Sequence, residues 1–556
     1  MARVHRWQLL IAFLGTFLLL GILGKVSYHY ETVLVPTYGG VYHEGLAGAP
    51  RLLNPLLASF NQVDQEIGAL FFRGLGRFDE EGRVVPDVAA GWDVSPDARE
   101  FTVHLRTDRF WSDGTPITLE DVLYTYHALQ SPDFPGDPAL KALWQDVKIE
   151  EVDATSVRFS LPEPFAPFLD QLTIGLLPAH LWKDVPPGEM ALSPLNHSPL
   201  SNGPFVLAAT DTISMTLEPN PHFPWPKPYI EKVTLHFYPD DLAVVEAYAQ
   251  GEVDGIAHIP PLLLPQVEAF PDAQLFFSPL PGLALLLPNL RNPNVPFFRE
   301  KEVRQALLYA LDREALIQEA LHGMGTVAHS PFLPHTWAYD THVFKYTYDP
   351  AKARALLRSA GWTDTDGDGI VDKGGKPLRF TLLGDDDPAR QVMLQRIAQY
   401  WRAIGVEAVP QTVTFAGLVR DFLEPRTFEM ALVFWDLYGD PDPYPLWHST
   451  QIKGGGQNFA GWENPDADAL MEEARRTPDL NRRIRLYHQF QALFAEELPG
   501  LPLYHPVYGF AVRDRIKRVS LGPVHNPSDR YRTFPNWYIR VKRVPISAVT
   551  PSPTGP

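Results

Sequence analysis

Not one of the 556 residues is a cysteine, so the chain has no disulfide, thiolate nucleophile, iron–sulfur cluster or Cys-type zinc site with which to hold or use a fold. It has to be stabilised by burial alone. Its length is several times the roughly 100 to 200 residues of one domain, which predicts two or three cores. Hydrophobic residues at 45% and charged residues at 21% are ordinary values for a folded chain. A formal net charge of -18, with no basic stripe set against it, excludes a phosphate backbone as partner.

The N-terminus reads as an address. Arg3, His5 and Arg6 precede an uninterrupted apolar run from Leu9 to Leu23, closed by Lys25. Counted from Trp7 to Gly24 the segment has 18 residues, near the short end of what spans a hydrocarbon core of about 30 Å. No small-x-small cleavage site follows, and no cysteine is present for acylation. Residues 1–30 are therefore expected to be a signal or, preferentially, an uncleaved membrane anchor. The flanking arginines put the N-terminus in the cytoplasm and the body outside, in the periplasm or at the cell surface. Residues from there to about Pro36 read as linker, and residues 546–556 as a flexible tail.

Between these ends strands and helices are mixed. Phe101–Leu105, Val157–Leu161 and Val233–Phe237 alternate as half-buried strands do. Thr118 with Asp121 three positions on opens a helix to Leu129. Asp349-Pro350 opens one that Gly361 closes, and Asn464-Pro465 opens another. From Arg299, the apolar positions Val303, Ala306, Leu307, Ala310 and Leu311 recur at helical spacing and predict one helix ending near Gly323.

Several blocks resemble the family 5 extracellular solute-binding proteins, the peptide receptors of ABC importers. They are Gly91-Trp-Asp-Val-Ser95, Phe101-Thr-Val-His-Leu-Arg106, Phe110-Trp-Ser-Asp-Gly-Thr-Pro-Ile-Thr-Leu-Glu-Asp-Val122 and Tyr124-Thr-Tyr126. Leu53-Asn-Pro-Leu56, Asn202-Gly-Pro-Phe205, Gly251-Glu-Val-Asp254, Val303-Arg-Gln-Ala-Leu307, Ala310-Leu-Asp-Arg313, Asp349-Pro-Ala-Lys-Ala353, Trp435 to Trp447 and Leu501-Pro-Leu-Tyr504 follow in the family's order, so the likeness covers nearly all of residues 38–540. It implies an α/β fold of mixed sheets, periplasmic-binding-protein-like of type II, with two hinged lobes and an extra domain. Lobe I would be built from 31–75, 205–290 and 505–545, the extra domain from 76–204 and lobe II from 291–504. Crossovers would fall at Pro288–Asn292 and Tyr504–Tyr508. The implied function is a receptor, a monomer, that closes over a short peptide and delivers it to the permease subunits.

The resemblance also implies site residues. A segment before the first helix pairs with the peptide backbone, here Phe60, Asn61 and Gln62. Tyr504, with His505 and Tyr508 beside it, lines the cleft. In the segment holding Trp435, Asp440 and Asp442, the family's amine-binding aspartate aligns with Leu437, next to Asp436. Either Asp436 serves after a one-residue shift, or the amine is not recognised and the ligand is a sugar or another solute. Asp440 and Asp442 read equally well as turn residues beside prolines. Trp435, Tyr444 and Trp447 are cleft wall or core.

Asp364, Asp366, Asp368 and Asp372 stand at positions 1, 3, 5 and 9 of a calcium-loop spacing with glycine at 6, but Gly375 replaces the bidentate glutamate. A weak structural calcium and a bare acidic turn are both open, and no cofactor is required. No Gly-x-Ser-x-Gly, His-Glu-x-x-His or Gly-x-x-x-x-Gly-Lys occurs, so an enzyme would have to rest on scattered carboxylates. An anchored sensor or chaperone of the same fold is the remaining alternative.

Overall fold

The computed structural model describes residues 13–23, 25 and 32–546, apart from positions 225, 438 and 454. One large mixed sheet of twelve strands runs through the molecule, with the strand Leu501–Arg513 at its middle. Residues 507–513 pair with Ala273–Pro279, and Val512 and Ala511 also pair with the short strand Gly255–Ile256. That side continues through Val41–Ala47, Lys232–Tyr238, Ser214–Pro219 and Phe205–Thr210, and forms lobe I. Residues 501–506 pair with Gly282–Pro288 and Gly325–Val327, and that side continues through Met430–Asp436, Arg379–Gly384 and Glu407–Thr412 as lobe II.

The chain therefore passes between lobes at Leu280-Pro281 and within the strand near Tyr504–Val507. The first comes earlier than Pro288–Asn292, because Gly282–Pro288 already pairs with Met430–Asp436 in lobe II. All seven of its residues are buried. Its alternation assigns Leu283, Leu285 and Leu287 to one core and Ala284 and Leu286 to the other, so a continuous apolar strand serves both faces of the sheet.

A four-stranded antiparallel sheet, in the order Ala89–Val94, Glu100–Leu105, Ser156–Ser160, Lys148–Asp153, forms a smaller domain. Its Phe101, Trp144 and Val157 belong to one continuous core with Tyr42, Val233 and Phe510 of lobe I. The signature block folds around Asp121. Its buried carboxylate accepts from Thr118 N at 2.8 Å, Ala179 N at 2.8 Å and Trp111 Nε1 at 3.2 Å. Asn202 clamps the chain after the first helix through Arg73 N at 2.8 Å and Arg73 O at 3.0 Å. A Cβ at Gly203 would stand 2.6 Å from Leu70 O, so only glycine lets the two backbones meet.

The three alternating segments are strands, and Thr118, Asp349 and Asn464 sit at the starts of the helices Leu119–Gln130, Pro350–Ser359 and Pro465–Arg476. Two expectations are corrected. The single helix from Arg299 is two, Lys301–Tyr309 and Arg313–Leu321, because Asp312 accepts from Ala315 N at 3.0 Å and caps a new start. The residues up to Pro36 are not linker throughout: Thr32–Thr37 pairs antiparallel with Arg540–Pro545 and joins the two ends of the body. Residues 13–23 are helical and exposed, and among the described residues no helix is long and apolar enough to cross a membrane. Residues 9–12 of the Leu9–Leu23 run, the basic flank before it and residues 547–556 of the tail lie outside the described residues.

Candidate ligand chamber

Trp435 and Asp436 end a strand that is hydrogen-bonded to Leu283 and Gly282, two strands from Tyr504 in the same sheet. Beyond them the chain turns through Gly439 at φ +86°, a left-handed conformation that glycine adopts without strain. Asp440 receives both terminal nitrogens of Arg483, at 2.7 and 2.6 Å, the bidentate geometry of a strong charge-assisted pair. Asp442 takes Arg475 Nε at 2.7 Å and Tyr444 N at 3.1 Å. Burial, and after it the neighbouring Asp440, raises the Asp442 pKa against the pull of Arg475. Both carboxylates are thus spent on holding the loop. Trp447 is core, packed edge-on against Trp435 at 5.3 Å and Phe494 at 4.8 Å. Tyr444 is clamped between Arg475 and His448.

Asp436 differs. Its side chain is exposed and has no hydrogen bond or ion pair among the described residues, and partial burial alone raises its pKa. Tyr504 and His505 are buried in the strand that joins the lobes. His505 Nδ1 meets Gly282 O at 2.9 Å, its Nε2 has no partner among the described residues, and burial pushes its pKa down to about 4. Tyr508 donates to Ala257 O within lobe I. Asn61 caps the helix Gln62–Phe71 by accepting from Val63 N at 2.9 Å and Asp64 N at 3.2 Å, and Gln62 is exposed at its start. The Phe60 side chain lies outside the described part of the structure.

A cavity of about 800 Å³ opens along that same helix, within the size range of ligand pockets. Gln65, Ala69 and Arg73 come from the helix and the turn after it, Arg106 and Arg109 from the smaller domain, His525 and Arg532 from the C-terminal segment, and Gly439 from lobe II. None of the eight expected ligand residues whose side chains are described lines it; Gly439, from the loop that follows Asp436 and holds Asp440, does. The arginines were missed because only topology gathers them.

The loop of Gly439 also touches the smaller domain. Asp440 N donates to the carboxylate of Asp170, in the turn Ala166–Thr173, and Arg475 lies 5.2 Å over Phe165. Burial and the Asp440 charge together raise the Asp170 pKa well above the ordinary carboxylate range.

At the acidic turn, Asp364, Asp366 and Asp368 place carboxylate oxygens within 4.8 Å of one another, all exposed. Asp372 does not join them. Its carboxylate accepts from Thr365 N at 2.9 Å and Thr365 Oγ1 at 2.6 Å.

A hinged pair of lobes around a chamber defines a solute-binding receptor, and the chain belongs to that class: residues 83–457 match the bacterial extracellular solute-binding proteins, family 5. It is 28% identical over 513 residues to the oligopeptide-binding protein AppA of Bacillus subtilis, covering 91% of this chain and 92% of that protein. The structure of that protein in complex with a nonapeptide superposes with a TM-score of 0.68 over 91% of this chain and all of the other. The dipeptide-binding protein of Escherichia coli is 26% identical over 86% of this chain and 91% of its own length. The ABC transporter substrate binding protein CtaP of Listeria monocytogenes has a TM-score of 0.76 at 26% identity, over 90% of this chain and 99% of that one.

Proposed function

We propose that this receptor encloses a short peptide between its lobes and the smaller domain, hands it to the permease of an ABC importer, and catalyses no reaction. The observation that carries the reading is the 800 Å³ chamber walled by both lobes and the smaller domain. The bound nonapeptide of the Bacillus relative supports peptide as the ligand class. Asp440 and Asp442 are committed to arginines, so Asp436, unpaired at the end of its strand, is the aspartate left to take the amino terminus. Arg3, Arg6 and the apolar run to Leu23 support an N-terminal anchor that keeps the body outside the cytoplasm. Retention in the membrane fraction after alkaline extraction tests that part; release into the soluble fraction overturns it.

The reading needs no cofactor. Calcium at Asp364, Asp366 and Asp368 would stiffen a turn that is not part of the cavity wall. A calcium-dependent melting temperature lost in Asp364→Asn supports that ion, and an unchanged one removes it.

Calorimetric titration of the full-length protein with di- to octapeptides, then oligosaccharides, tests the ligand class. Free peptides are expected to bind. Acetylating the amine or changing Asp436→Asn is expected to weaken them about 10- to 100-fold, the worth of one hydrogen bond to a charged group. Indifference to every peptide, with a response to a sugar, overturns the peptide reading.

A further inference from the structure

The cavity wall carries a charge opposite to that of the chain. The protein as a whole has a net charge of -18, yet among the described residues five arginines, Arg73, Arg77, Arg106, Arg109 and Arg532, and two aspartates, Asp87 and Asp529, are the charged side chains that line the chamber, histidine aside. The aspartates are matched. Asp87 stands 3.9 Å from Arg73 Nε and Asp529 stands 3.2 Å from Arg532. That leaves Arg77, Arg106 and Arg109 without an acidic partner in the lining.

Arg77 and Arg106 have no carboxylate within ion-pair distance among the described residues. Arg77 reaches only Phe78 O at 3.5 Å, and Arg106 gives its Nε to Ala89 O at 3.1 Å. Arg109 forms an ion pair at 3.1 Å with Asp108, which lies outside the lining and whose side chain is 68% exposed, while its own Nε is buried and lacks a partner among the described residues. A guanidinium cannot shed its charge and presents a fork of donors that fits a carboxylate on two sides. Three of them around one recess make a field that concentrates anions and repels cations.

We infer that the chamber selects carboxylate-bearing ligands, with Arg77, Arg106 and Arg109 as the groups that read the negative charge. The inference rests on taking this cavity as the ligand chamber. For a peptide the carboxylate comes from an acidic side chain or from the free C-terminus, and the two sources share one chemistry.

The test is a calorimetric comparison, on the full-length protein, of pentaalanine and its central Glu and Lys variants, each with a free or amidated C-terminus. Citrate serves as a carboxylate probe that is not a peptide. The Glu peptide is expected to bind at least tenfold more tightly than the Lys peptide. A further loss on amidation assigns part of the recognition to the C-terminus; a preference that survives amidation assigns it to the side chain. Either supports the inference. In Arg77→Gln and Arg106→Gln, checked for unchanged melting temperature, the Glu-to-Lys preference is expected to shrink severalfold; Arg77 is exposed, so its variant reports on charge without a folding cost.

Equal or tighter binding of the Lys peptide overturns the inference and leaves the peptide reading intact, as does a Glu preference unmoved in both variants. Binding of citrate without any peptide overturns the peptide reading and leaves the charge selection standing. No response to any of these probes overturns both.

Discussion

Two buried arginine–carboxylate clusters, one in lobe I and one in lobe II, look alike and do different work. In lobe I, Arg530 gives its Nε to Glu44 at 2.9 Å and pairs with Glu66 at 2.5 Å, while Tyr42 and Tyr531 donate to Glu44 at 2.7 and 2.6 Å. A strand, a helix and the C-terminal turn are fastened in one body. Burial works against the Arg530 charge, but Glu44 and Glu66 overcome it and hold its pKa above the ordinary value. In lobe II, Arg483 and Arg475 hold Asp440 and Asp442, and the loop so fixed reaches across to a third carboxylate, Asp170, on the smaller domain. The first cluster is closed on itself. Each holds one carboxylate more than it has arginines, but in the second the extra carboxylate, Asp170, stands at a contact between bodies, which makes that contact sensitive to protonation.

The largest effect separating them is expected from Arg530→Ala. It strands two buried glutamates and should destabilise the protein by about 3 to 5 kcal/mol in denaturant melts. Arg483→Ala should cost less, about 2 to 3 kcal/mol, the worth of lost hydrogen bonds to a charged group, and should in addition weaken ligand binding, which a closed structural staple would not do. Equal stability losses with no change in binding would erase the distinction.

Asp170→Asn sharpens it further. A carboxylate whose folded pKa is raised contributes stability below its unfolded pKa, near 3.8, and loses it as pH rises through the folded value. The wild type is therefore expected to lose stability as pH climbs above about 4, by about 1.4 kcal/mol for each pH unit between the unfolded and the folded pKa. The variant, keeping an acceptor for Asp440 N but no charge, should lack that slope and be the more stable protein at neutral pH. Matching pH–stability curves would refute the protonation argument. The smallest effect on stability is expected from Asp436→Asn, within about 0.5 kcal/mol for an exposed, unpaired side chain, against a large loss of affinity for free peptides.

The sequence discloses what is local and hides what topology assembles. Asp349-Pro350 and Asn464-Pro465 announce helices because a cap satisfies N–H groups two or three residues away. The break at Asp312 was missed because the apolar period before it continues in register, and only the Asp312–Ala315 bond reveals a second start. Glu44 and Arg530 are 486 residues apart, and nothing short of the fold joins them. Of the candidate site, the segment from Trp435 was picked out by the family resemblance, and among its described residues Gly439 alone lines the cavity. The segment's partners Arg475, Arg483 and Asp170, and the arginine wall of the chamber, were not legible, since each charged residue alone reads as solvated surface.

The account stands on closure of the lobes and the smaller domain around a ligand, and the absence of native cysteine makes that measurable. Cysteines introduced at Leu192, 85% exposed within the 76–204 segment, and Phe415, 59% exposed on lobe II, would carry one spin label on each body. Saturation with a bound peptide is expected to collapse a broad distribution of label distances onto one short distance. An identical distribution with and without bound peptide would contradict the account.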